Sequence, residues 1–246
     1  MARNYQKPPV REVVCEFRVP PELPWDMTVP GLLYEKLREL YPQKRQQLLL
    51  VPELFRQETA LGQRIKQDMR LFFLNVPESR LIQIGDHVLA VHARPPYEGW
   101  EEFQPRILTA LDALTGVAHA EQLSRIGLRY INFIEVPGTR IELQEYFSFR
   151  PFIGEGLPQN HGAFMLGCEF PFEKQASVCR ATLTSAQPEK PDTAAFLFDL
   201  DFGTVPSSAV PHSEVPAWIM EAHRNVEGLF EGCLTDKLRV LFGEAR

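Results

Sequence analysis

The chain of 246 residues is long enough for one large domain or two small ones, and either buries enough apolar surface to need no disulfide or metal staples. Hydrophobic residues make up 44% and charged residues 24%, which excludes wholesale disorder, and the net charge of −6 argues against broad electrostatic attraction to nucleic acid while suiting a basic protein partner. Residues 1–7 lack the apolar core of a signal peptide, and no apolar run reaches the roughly 20 residues of a membrane span, so a cytoplasmic protein without membrane attachment is expected.

Residues 10–19 alternate, with Val13, Cys15, Phe17 and Val19 on one face, as a half-buried strand does; Pro20, Pro21 and Pro24 end it. Between 29 and 41 the residues Leu33, Leu37, Leu40 and Tyr41 recur at helical spacing. Residues 43–70 are rich in glutamine and basic side chains and follow neither period, which predicts an irregular insertion. Short strands are expected at 71–76, 81–84 and 87–93, separated by turn chemistry at Pro77-Glu78-Ser79 and Gly85-Asp86. A second helix over 99–115 follows from the stripe of Trp100, Phe103, Ile107, Leu111 and Leu114. Residues 126–136 alternate as a strand that Pro137-Gly138 ends. A break is expected over 150–162, then strands at 163–172, 177–184 and 195–204, a long helix over 217–232, and a further turn after Thr235 as N-cap.

This order predicts an α+β fold: an antiparallel sheet with helices on one face. The first half, 1–150, has the element order of a ferredoxin-like sandwich carrying the 43–70 insertion; 151–246 forms a strand-rich second half that ends in a long helix and either continues the same sheet or makes a degenerate second sandwich related to the first.

Chemistry is harder to locate. The four cysteines at 15, 168, 179 and 233 form no CxxC pair and sit in apolar-patterned segments, so reduced, buried thiols are expected, and the six histidines are dispersed. Asp199 and Asp201 lie two apart on a strand and can point two carboxylates to one side, as a Mg²⁺ or Mn²⁺ site requires. No third ligand accompanies them, and Phe196, Phe198, Leu200 and Phe202 fill the other face, so a solvated strand face explains them better. His87 with Asp86, Asp68 and Ser79, and Cys15 with His92, are the remaining acid-base or nucleophile combinations. No nucleophile elbow, zinc-helix motif or phosphate-cradling glycine loop accompanies them. No catalytic residue and no cofactor is expected.

Binding candidates are the basic residues Lys44, Arg45, Arg64 and Lys66 of the insertion, the aromatics Tyr97 and Trp100, and Arg125 and Arg129, which share a strand face with Ile131 and Phe133. The aromatics serve packing at the helix start at least as well as they serve a ligand. The arginines can meet RNA only if aromatics accompany them on that face.

Four segments together resemble a known group. They are Pro8-Pro9-Val10-Arg11-Glu12 running to Phe17, Pro96-Tyr97-Glu98-Gly99-Trp100, Arg125-Ile126-Gly127-Leu128-Arg129-Tyr130-Ile131-Asn132, and Phe230 to Leu238 through Thr235. They are similar to the signature of a sporadically distributed family of uncharacterised bacterial proteins. The resemblance spans most of the chain, weakest over 43–70 and 154–162, and carries no activity with it. Its sporadic occurrence implies mobile or defence-associated gene neighbourhoods, where accessory subunits and immunity factors occur. The function expected is a non-enzymatic binding or regulatory component with a protein partner or a second copy of itself. An RNA-binding or RNA-processing protein built on ferredoxin-like folds is the alternative.

Overall fold

A computed structural model describes the backbone of residues 5–57, 60–160, 162–206 and 208–243, and their side chains except those of 49–57, 60–68 and 175. Strand β1 is Val10–Arg18, and its alternation seals Val13, Cys15 and Phe17 from solvent. Helix α1 (Thr28–Leu37) buries Val29, Leu33 and Leu37. The Asp26 carboxylate accepts from the Thr28 amide at 2.7 Å and its hydroxyl at 2.5 Å, securing the helix start. The helix is shorter than its periodicity implies, and a turn beyond Leu37 carries the buried Tyr41.

The 43–70 segment corrects the sequence expectation. It is not irregular: strand β2 (Gln43–Gln57) pairs antiparallel with strand β3 (Ala60–Leu74) along their whole length. Residues 42–48 are all exposed. A stretch with no buried face has no reason to alternate, and backbone pairing defines it as a strand.

Strands β4 (Arg80–Gly85) and β5 (Val88–Ala93) complete the meander, and helix α2 (Trp100–Ala118) follows. The predicted stripe is realised: Phe103, Ile107, Leu111 and Leu114 are buried. Gly99, at φ +90°, opens the helix in a conformation that side-chain-bearing residues rarely adopt. The two-residue strand β6 (Gln122–Leu123) precedes β7 (Arg125–Pro137). Residues 148–164 contain neither helix nor strand where described. Then come β8 (Met165–Phe172), β9 (Ser177–Ala186), β10 (Thr193–Thr204), β11 (Val210–Pro211, paired with β6), α3 (Val215–Cys233) and α4 (Asp236–Leu241). The fold is α+β, and its large sheet has the hydrogen-bonded order β2-β3-β4-β5-β1-β7-β10-β9-β8. The alternating segments predicted at 10–19 and 126–136 form the adjacent strands β1 and β7.

Two compact units share this chain. One, the discontinuous unit, comprises residues 1–13, 127–208 and 214–246; the other, the central unit, comprises 14–126 and 209–213. In the central unit α2 packs against α1 and β5. In the discontinuous unit α3 lies on β10: the Trp218 ring sits 5.6 Å from Phe202, Phe230 stacks 6.0 Å from Phe198, and the Trp218 indole N–H donates to Ser177 Oγ at 3.2 Å. Burial of large aromatics on this side leaves the odd-numbered residues of β7 and β10 on the other. Among the described residues no helix is long and apolar enough to cross a membrane.

Candidate functional site

On the β2–β3 hairpin of the central unit, Lys44 places its ammonium 4.1 Å from the centre of the Tyr34 ring, and Arg45 pairs with Glu78 at 2.7 Å. Both partners of that ion pair are well exposed, so water and other carboxylates compete for Arg45. Arg64 and Lys66 occupy β3 opposite Glu53 and Val51; their side chains lie outside the described residues, as does that of Asp68. The hairpin thus gathers the four expected basic residues on one paired element. By sequence, 43–74 holds six basic and three acidic residues, a net +3 in a chain of net −6.

Tyr97 and Trp100 are half-buried at the entry to α2, and the Trp100 ring meets Phe103 edge-on at 6.3 Å. Between them Glu98 bridges two arginines, Arg80 at 2.5 Å and the buried Arg106. Arg106 also donates to the Tyr41 hydroxyl at 3.1 Å and to the His92 carbonyl at 2.7 Å. Burial is the first reason the Tyr41 hydroxyl is held above its usual value, with Arg106 opposing it. This guanidinium was invisible to the helical pattern because it lies beside the apolar stripe rather than on it. The only signal available was a basic residue flanked by Phe103 and Ile107 one turn inside a helix.

Arg125 and Arg129 meet carboxylates instead of an open face. Arg125 shares the Glu16 carboxylate with Arg18, each at 2.7 Å. In the discontinuous unit Arg129 clasps Asp199 through two contacts, of 2.8 and 2.5 Å, and this hydrogen bonding holds its guanidinium above the usual value against the opposing effect of burial. Asp201 stands across from Arg129 on β7 and from Arg180 on β9, and Arg180 pairs with Glu169 at 2.5 Å. Asp199 and Asp201 are therefore members of a lattice of alternating charge. No group of three or more His, Cys, Asp or Glu side chains is placed to hold a metal ion among the described residues.

The acid-base candidates resolve similarly. The His87 ring contacts the Asp86 carboxylate through Nδ1 at 2.8 Å and the Leu23 carbonyl through Nε2 at 3.1 Å, and it stacks on Trp25 at 5.4 Å. Nε2 and the ring stack tie this turn to the segment after β1, while the Nδ1 contact stays within the turn. Cys15 is fully buried, and that burial, aided by Glu16, pushes its thiol far above the usual range, the opposite of what a nucleophile needs. Cys168 departs from the expectation of buried thiols: it is exposed on β8, the last strand of the sheet order, where only one neighbour covers it.

Comparison with protein-family models and with curated proteins finds no match for this chain.

Proposed function

We propose that this protein is a non-enzymatic binding or regulatory component of the cytoplasm, with the basic β2–β3 hairpin as its contact element. The observation that carries the proposal is charge segregation. By sequence, a net +3 is concentrated on one paired element whose stretch 43–48 is exposed, and −9 is spread over the rest of the chain. Such a distribution repels acidic surfaces everywhere except at the hairpin, which attracts them. The resemblance to the sporadic bacterial family gives the setting, an accessory or immunity protein in a defence-associated assembly. A ferredoxin-like topology is part of the same proposal, supported by the order β4-β5-β1-β7 and by helices that connect β1 to the meander and β5 to β7. RNA binding is the second reading, favoured by the same basic hairpin. It is weakened at Arg125 and Arg129, since a phosphate would have to displace Glu16 or Asp199 from an existing pair.

The test is affinity purification from the native host with nuclease present, comparing the wild type with the Lys44→Glu/Arg45→Glu variant. A protein recovered in stoichiometric amount with the wild type and lost with the variant is expected. Recovery of RNA in nuclease-free samples, with no protein dependent on Lys44 and Arg45, refutes it.

A further inference from the structure

The nine-strand order ends at β2 on one side and at β8 on the other, and the two ends are built differently. Strand β8 is short, interrupted by Gly167 and Pro171, and carries the charged Glu169, all features that blunt an edge. Strand β2 is 15 residues long, and its stretch 43–51 contains no proline, glycine or acidic residue. Pro52 then closes that stretch, since it cannot donate to a ladder. Along 43–51 the strand spends half its amides and carbonyls on β3, and the other half faces away with no strand beyond it among the described residues. Exposure of 42–48 shows that neither face of this part is covered.

We propose that the outer edge of β2 along 43–51 takes up an extended acidic peptide of a partner protein as one further strand. This rests on the binding-component reading and supplies its mode. Backbone pairing provides the attraction common to any extended chain, and the basic residues of the hairpin select an acidic one. Peptide is favoured over nucleic acid because only a polypeptide offers alternating donors and acceptors at the repeat of the open edge. The same positive charge disfavours a second copy of this chain, whose hairpin would bring like charge to like.

The probe is a fluorescein-labelled peptide of about ten residues, alternating glutamate and threonine, matched to the ordinary length of a strand. A second peptide of identical sequence is N-methylated at every second residue, which removes the donors of one edge and leaves the charge intact. Fluorescence anisotropy at low salt is expected to show saturable binding of the first, weakened at least about tenfold by methylation and at least about tenfold by Lys44→Glu/Arg45→Glu. Amide exchange is expected to slow at those β2 residues of 43–51 that face away from β3. Equal binding of the two peptides, tighter binding of a decauridine RNA, absence of saturable binding, or self-association that the peptide fails to displace each overturns the proposal. If the variant loses its co-purifying protein in the host while methylation has no effect, strand addition fails and the binding-component reading stands.

Discussion

Replacing Arg106 by methionine tests the least visible part of this fold. The guanidinium is 7% exposed and joins three groups: the Glu98 carboxylate, the Tyr41 hydroxyl and the His92 carbonyl. Methionine retains most of the volume and removes every donor. Breaking a buried pair from one side costs about 3–5 kcal/mol when the other charge is stranded. Glu98 is not fully stranded, because Arg80 remains at 2.5 Å and is itself 40% exposed. The Tyr41 hydroxyl oxygen loses a donor yet keeps its own proton to donate, whereas a buried carbonyl that loses a charged donor forfeits about 1–3 kcal/mol. The expected loss is therefore at the lower end, about 3 kcal/mol. With a urea dependence of about 2 kcal/mol per molar, the midpoint falls by about 1.5 M. Of the chain's three tryptophans, Trp25 and Trp100 belong to the central unit and Trp218 to the other, so fluorescence melts in a Trp218→Phe background report the unit that holds Arg106. Adding Glu98→Gln removes the charge left behind and is expected to cost less than the two single changes combined. A loss below about 0.5 kcal/mol for Arg106→Met, typical of surface substitutions, would refute the assignment.

Two further outcomes follow from burial and hydrogen bonding elsewhere in the chain. Burial raises the thiols of Cys179 to about 12 and Cys233 to about 11, and raises Cys15 as well, so a disulfide reagent at neutral pH should titrate Cys168 alone; rapid labelling of a Cys168→Ser variant in native buffer would contradict this. Glu135 accepts hydrogen bonds from Lys190 and from the amides of Glu189 and Lys190, which hold its carboxyl below the ordinary 4.5. A depressed folded value gives stability that is present above 4.5 and lost as pH falls through the folded value. The wild type should accordingly exceed Glu135→Gln in stability at neutral pH, with the gap closing in acid; a gap independent of pH would exclude the mechanism.

What could be seen in the residues was whatever burial had organised. Val13, Cys15 and Phe17 alternate because one face of β1 is sealed, and Phe103, Ile107 and Leu114 recur because one side of α2 is; both elements were legible within a few residues. The hairpin escaped because exposed residues such as Lys44, Arg45 and Leu48 carry no pattern that distinguishes a strand from a loop. Arg125 and Arg129 were placed on one strand correctly, and their neutralisation was hidden because Glu16 and Asp199 lie 109 and 70 residues away in sequence. Arg106 was missed for the same reason: each of its partners is defined only once α2 packs beside Tyr41 and β5.

The composition of the discontinuous unit has a consequence for synthesis on the ribosome. Its first thirteen residues emerge long before residue 127, the next to which they belong. At about 5–20 residues per second the intervening hundred or so take roughly 5–20 s, during which this leading segment has no partner from its own unit. Pro8 and Pro9, which cannot donate to a ladder, and the oppositely charged Arg11 and Glu12 are suited to that interval, since they discourage a nascent strand from pairing with other chains.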